Sequence, residues 1–283
     1  MTKWYKPYLE VFEKPVDKVP AETFDKIRQQ LKNCQSEPPL VSVVLIAHNE
    51  EQHLLSCLWS LSENHCNFPI EILVANNNST DKTEEVLKAL NVPYYNETQK
   101  GPGYARQCGL DHARGKYHVC IDSDTLYPPN YIETHVRELM KPGVAAAFSL
   151  WSFMPDKQHS RLGLWCYECL RDLHLRLQAI KRPELCIRGM AFSFNTELGR
   201  RFGFRTDIIR GEDGSLALAM KPYGKLIFIT SPKARVMTSN GTLNTDGSLL
   251  NSFRVRLVKA IKNIGGMFSG KSEYKDEDSN LIK

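Results

Sequence analysis

The chain of 283 residues has no apolar run long enough to cross a bilayer as a helix. Its longest, VSVVLIA at 41–47 and VAAAFSLW at 144–151, fall far short of the roughly 20 residues required. The opening MTKWYKPYLEVFEKP contains no apolar h-region of a secretory signal, so a cytoplasmic protein is expected. No internal repeat is present, and no run of Lys and Arg interleaved with aromatics marks a nucleic-acid groove, which a modest net charge of +5 does not favour either. Eight cysteines are scattered, and the one CxxC, Cys166 to Cys169, has no second CxxC or His pair near it. That excludes a familiar zinc pattern and favours reduced thiols buried as small hydrophobes, these two on a helix.

What is present is an alternation. Residues 1–39 read as an N-terminal extension with a helix, AETFDKIRQQLKNCQ, stopped at Pro38-Pro39. From Leu40 short apolar runs alternate with helical segments of 10 to 15 residues, the pattern of βαβ units and a parallel sheet. Strands are expected over Leu40 to Ala47, Glu71 to Ala75, Val92 to Tyr95 and Tyr117 onward. A helix from about Asp81 carries Glu84 three residues on, a capping-box spacing. Farther on come a strand near Ala145 to Phe153, a long helix with Leu162, Trp165, Cys169, Leu173, Leu177 and Ile180 at spacings of three and four, and two late strands, KLIFIT and ARVMT. The second half is α+β in character.

Ligands of an open parallel sheet bind outside the carboxyl ends of its strands. The polar clusters fall there: His48 and Asn49 after the first strand, Asn76 to Asn78 after the second, Asp122 and Asp124 after the fourth. Two carboxylates at i and i+2 of an extended chain point to one side. They would repel unless a divalent cation lay between them, and hard oxygen ligands suit Mg2+ or Mn2+ completed by substrate phosphates. In QKGPGYAR at 99–106, Gly101 and Gly103 begin a dinucleotide fingerprint, but Arg106 stands where its third glycine belongs. Lys100 and Arg106 fit a diphosphate loop instead, with a structural turn as the alternative. Glu212 and Asp213 open a helix. They either complement its dipole or include a general base.

Taken together, VSVVLIAHNEE, EILVANNNSTDKT, GPGYARQCGLDHARGKYHVCIDSD and RGEDGSLALAMKPYGKL resemble the family 2 glycosyltransferases over about residues 40–240. The resemblance implies a GT-A fold: a Rossmann-like, mostly parallel central sheet flanked by helices, with an α+β acceptor-side half. It implies a metal-dependent inverting transferase moving one sugar from a nucleotide-diphosphate sugar to an acceptor hydroxyl, in glycan or cell-envelope polysaccharide synthesis. The competing reading is a non-catalytic relative that binds nucleotide or glycan as a partner subunit. Asp122 and Asp124 match the family's D-x-D and would hold Mn2+ or Mg2+. Ala47, His48, Asn49, Glu50, Asn77, Ser79, Lys100, Gly101, Arg106 and Ser123 would line the donor site, with His48 packing on the base and Asn77 accepting its N–H. Asp213 matches the general base, supported by Glu212, and Arg188 and Gly189 lie where the acceptor-side loop is expected. A UDP-sugar is the first choice and a GDP-sugar the second; Asn76-Asn77 replaces the family's Asp pair, and its uncharged amide can accept from uracil N3–H or guanine N1–H, so it does not decide the base. The Q-x-x-R-W motif of processive synthases is absent, and the last Trp is Trp165.

The acceptor is expected to be a glycan or lipid-linked. In 249–268, within a segment 241–270, Leu250, Phe253, Leu257, Ile261 and Ile264 form a helical stripe with Arg254, Arg256, Lys259 and Lys262 off it. A helix there would either lie on the inner face of a membrane or pack on the catalytic domain. The tail 271–283 is polar.

Overall fold

A computed structural model of the chain describes residues 4–155 and 160–241. The expectations for 249–268 and for the tail lie outside these residues. After two 3-10 turns come α1 (Ala21–Cys34), β1 (Val41–Ala47), α2 (Leu54–Ser62), β2 (Ile70–Asn77), α3 (Thr83–Leu90), β3 (Tyr94–Glu97), α4 (Pro102–His112), β4 (Tyr117–Asp122) and β5 (Thr125–Leu126). There follow α5 (Tyr131–Leu139), β6 (Val144–Ser149), β7 (Trp151–Phe153), α6 (Arg161–Ala179), β8 (Phe192–Asn195), α7 (Thr196–Phe202), α8 (Glu212–Met220), β9 (Lys225–Ile229) and β10 (Val236–Thr238).

Seven strands form the central sheet in the order β3-β2-β1-β4-β8-β6-β9. Only β8 opposes its neighbours β4 and β6; the other pairings are parallel. β1 and β2 are hydrophobic runs buried almost throughout, as strands covered by helices on both faces require. A second sheet, β5-β10-β7, brings residues 125–126, 236–238 and 151–153 together beside the end of β4. The expected strand at 145–153 is thus divided between the two sheets, as β6 and β7.

Helix α1 adds to the main core: Ile27 is fully buried and Leu31 nearly so, each worth about 1.5–3 kcal/mol of transfer free energy. Tyr8, from the first 3-10 turn, donates its hydroxyl to Glu63 at 2.9 Å. Helix α3 has no capping box; Asp81 accepts from the Thr83 N–H at 2.9 Å, while Glu84 accepts from the Tyr94 hydroxyl. Gly103 of α4 is glycine for packing, since a Cβ there would come within 2.2 Å of the Arg205 carbonyl oxygen.

One expectation about α6 is overturned, the burial of Cys166 and Cys169. Its apolar stripe faces outward, with Leu162 at 70 %, Trp165 at 62 % and Ile180 at 77 % exposure, and Cys166 and Cys169 are exposed. The inward face carries Leu164, Tyr167 and Leu175 together with Glu168, Arg171 and Asp172. Glu168 accepts from Ser152 and from the Phe153 N–H, both at 2.8 Å, and Asp172 pairs with Arg171 and Arg235. All eight cysteines are free, and no described helix is long and apolar enough to cross a membrane.

Candidate active site

The carboxyl ends of β1, β2 and β4 lie side by side, with Ile46 in register with both Ala75 and Asp122, and Ala47 with Asn76. After buried Ala47, Asn49 adopts a left-handed conformation at φ 56°. Its carboxamide oxygen accepts from the Thr80 N–H at 2.7 Å and its own N–H bonds Ser79 Oγ at 3.0 Å. His48 Nδ1 donates to the Asn77 carbonyl at 2.6 Å. Glu50 anchors its N–H on Thr83 Oγ1 and places its carboxylate 2.6 Å from His53 Nδ1. These contacts stitch the turns after β1 and β2 into one floor.

Asn77 departs from the role expected of it. It ends β2 and does not follow it, and it is buried. Its carboxamide oxygen accepts from the Gly101 N–H at 3.0 Å, and its nitrogen donates to Gln99 O at 2.7 Å. The side chain clamps the 97–101 loop, which leaves exposed Lys100 at the rim and Gly101 as the N-cap of α4.

The two aspartates of D-S-D also differ from the extended-strand expectation. β4 stops at Asp122, and Ser123 and Asp124 form a turn before β5, so strand alternation does not orient the pair. Ser123 is buried. Asp122 receives the guanidinium Nη2 of Arg106, and its N–H is held by the Tyr127 hydroxyl at 2.9 Å. Asp124 accepts from Ser239 Oγ at 2.5 Å and from Thr125 Oγ1 at 3.1 Å. Burial first, then the charges of Asp122 and Glu50, push the Asp124 carboxyl up to about 6.

Arg106 is corrected as well. It does not reach out toward a diphosphate; its side chain is 2 % exposed and lies beneath the crevice. Nη1 donates to the Ile121 carbonyl at 3.1 Å, Nη2 binds Asp122, and Nε stands 3.5 Å from Asp213 Oδ1. The α4 register turns it inward. Burial opposes its charge, but Asp122 and Asp213 outweigh that and hold it protonated.

Glu212 and Asp213 open α8 and are both buried. Burial, and next the charge of Asp213, raise Glu212 to about 8. Asp213 is raised by burial, with Arg106, Arg188 and the Gly189 N–H acting against the shift. A Cβ on Gly189 would fall 1.9 Å from Arg106 Nη2 and 2.6 Å from Asp213 Oδ2, so only glycine fits. Arg188 is exposed, with its guanidinium 5.9 Å from the Trp151 ring centre and bonded to the Ile187 carbonyl.

Sequence reasoning missed Ser239, His53, Tyr127 and Tyr131. Ser239 reaches Asp124 across 115 positions with no local signal. Tyr127 and Tyr131 both donate to the Met190 carbonyl, at 3.1 and 3.3 Å; their closeness to D-S-D was the available hint.

Asp122 and Asp124 fit a divalent ion in chemistry. They are hard oxygen donors, and the neighbouring carboxylates of Asp122 and Glu50, which add to burial in raising Asp124, give negative charge that a cation there would neutralise. No group of three candidate metal ligands exists among the described residues, so an ion would draw the rest of its shell from substrate phosphates and water.

A Rossmann-like half ending in a carboxylate-rich crevice, joined to a mixed half carrying a second acidic pair, is the GT-A glycosyltransferase fold. A mannosyltransferase of Pyrobaculum calidifontis, solved with GDP-Man and Mn2+, superposes with a TM-score of 0.56 at 21 % identity, over 89 % of this chain and 74 % of that one. Glucosyl-3-phosphoglycerate synthase of Mycobacterium tuberculosis gives 0.51 at 19 % identity, over 85 % and 84 %. The sequence pattern of Glycosyl transferase family 2 matches residues 42–197, and the chain belongs to that family. It is 34 % identical over 106 residues to the putative glycosyltransferase EpsH of Bacillus subtilis, and 32 % over 106 residues to an uncharacterised glycosyltransferase of Rickettsia prowazekii. These stretches cover 36 % of this chain and about a third of each relative, 30 % and 33 %.

Proposed function

We propose that the protein is a metal-dependent inverting glycosyltransferase that moves one sugar from a nucleotide-diphosphate sugar to the hydroxyl of a glycan or lipid-linked acceptor. The observation that carries this reading is the placement of Asp122 and Asp213 on two sides of one buried guanidinium, Arg106. A leaving-group site and a base are thereby held in one rigid frame.

The donor base would lie over the floor made by His48, Asn49 and Ser79, and the sugar would point toward Asp213. A divalent ion, Mn2+ or Mg2+, held by Asp122 and Asp124 would supply electrostatic stabilisation of the departing diphosphate. Asp213 takes the proton of the acceptor hydroxyl; burial raises its pKa toward the range where a carboxylate is an effective base. Glu212, raised to about 8, keeps its proton near neutral pH and leaves Asp213 as the charged member. The hydroxyl oxygen attacks the anomeric carbon as the bond to the diphosphate breaks on the opposite side, so configuration inverts. Arg188 borders the acceptor entrance, and Lys100 borders the donor rim. UDP-sugars are the first choice of donor, and the likeness to a GDP-Man-bound mannosyltransferase keeps GDP-sugars in the panel.

The test is calorimetric screening of UDP-, GDP- and dTDP-sugars with Mn2+, followed by transfer assays on wild type and Asp213→Asn. The variant is expected to lose transfer by about 100-fold or more while binding the donor with near-wild-type affinity. Turnover close to wild type in Asp213→Asn would overturn the assignment of the base.

A further inference from the structure

Helix α6 buries Leu164, Tyr167 and Leu175 in the core and carries a second apolar stripe on its outward side. Glu168, Arg171 and Asp172 face the second sheet, where Arg171 lies 4.5 Å from the Trp151 ring centre and Asp172 pairs with Arg235. Leu162, Trp165, Leu170, Leu173, Leu177 and Ile180 face outward, each more than half exposed. An amphipathic helix ordinarily turns its apolar stripe to the core, and a continuous exposed stripe of this kind marks an interaction surface.

Charge selects the occupant. The residues of α6 in the exposed class include Arg161 and Arg176 and no acid. A second copy stacked on the stripe would bring these guanidinium groups toward their own kind. The stretch 249–268 of this chain is basic too, with Arg254, Arg256, Lys259 and Lys262, so docking it there gains no charge complementarity. An anionic lipid surface complements both, and Trp165 is the residue type that favours the headgroup boundary.

Asn240 donates to the Met154 carbonyl at 2.7 Å, which sets Asn240 beside the segment that precedes α6. We infer that the outward face of α6 seats the protein on an anionic lipid surface. From the other end of α6 the chain runs through a 3-10 turn (Pro183–Cys186) to Arg188 and Gly189, which brings the acceptor entrance near the headgroups. Only this last consequence rests on the transferase reading; the lipid seat itself does not.

The experiment is flotation of the full chain with vesicles of phosphatidylcholine, alone or with about a third phosphatidylglycerol. Wild type is expected to bind the anionic vesicles at least about tenfold better than the neutral ones. Leu173→Glu/Leu177→Glu should lose about tenfold of that binding, with circular dichroism confirming an unchanged fold. Arg161→Gln/Arg176→Gln should reduce the preference for anionic lipid by at least about threefold, and a preference equal to wild type would overturn the part given to these two side chains. Wild type that fails to bind either vesicle overturns the inference. So does binding that survives Leu173→Glu/Leu177→Glu but is lost in Leu257→Glu/Ile261→Glu, which would put the lipid contact in the C-terminal stretch alone. A wild-type dimer without lipid that becomes monomeric in Leu173→Glu/Leu177→Glu would assign the face to a second copy. Transfer is assayed separately on a soluble acceptor, so failure of the lipid seat and failure of the transferase reading give different results.

Discussion

Arg106 offers the most discriminating single substitution. Its guanidinium, 2 % exposed, faces Asp122 and Asp213, and Glu212 adds a third carboxyl to the same buried region. Arg106→Met keeps much of the aliphatic volume and removes the cation. Deleting one partner of a buried ion pair typically costs about 3–5 kcal/mol, because the remaining charge stays desolvated. At roughly 2–4 °C per kcal/mol for a domain of this size, the melting temperature should fall by on the order of 10 °C at pH 8. The pH dependence separates charge from packing. Asp213 is already raised by burial and held back by Arg106; without the cation its folded-state pKa rises further, so the deficit grows as pH climbs through the wild-type titration of Asp213. Thermal melts of chelator-treated protein should therefore show a clearly smaller deficit at pH 5 than at pH 8. A loss of less than about 1 kcal/mol at pH 8, or one equal at both pH values, would refute the view that Arg106 acts through its charge.

Three other outcomes are expected. Asp124→Ala should weaken donor binding in the presence of Mn2+ by about tenfold or more and leave metal-free binding unchanged; calorimetry showing equal affinities with metal would count against its role as a ligand. Gly189→Ala should lower transfer at least about tenfold and cost about 1–3 kcal/mol, because its methyl would collide with Arg106 and Asp213; wild-type kcat and Tm would contradict the crowding. Because Glu212 is raised to about 8 in the fold, wild-type stability should decline as pH rises from about 5 to about 8, and Glu212→Gln should gain on wild type across that window. Parallel pH profiles for the two proteins would show that Glu212 is not raised.

Much of the architecture was legible in the sequence. β1 and β4 were readable because short runs of strand-forming residues ending in polar turns have few other stable arrangements, and the spacing between successive strands left room for helical crossovers. The positions of Asp122 and the polar residues after β1 followed from where such strands end, and Asp213 from its place at the start of a helix and its match to the family's acidic pair. The burial of Arg106 was not legible, because a helical period says which residues share a face and not whether that face meets solvent or another chain segment. The same ambiguity hid the direction of the α6 stripe, whose leucines fit a buried face as well as an exposed one. Asn77 was placed one step too far along the chain, in the turn, because the end of β2 depends on its pairing with β3, with Asn77 opposite Glu97.

The sequence by itself determined the order of strands and helices, the ends at which carboxylates gather, and the family, since these rest on local hydrophobic periodicity and on motifs contiguous in the chain. Tertiary structure alone decided which carboxylates share a counter-charge. Arg106 reaches Asp122 and Asp213 from 16 and 107 positions away, and Ser239 reaches Asp124 from 115. Electrostatic energy falls with distance in space and is amplified by burial, and neither separation nor burial across such intervals is written in local pattern.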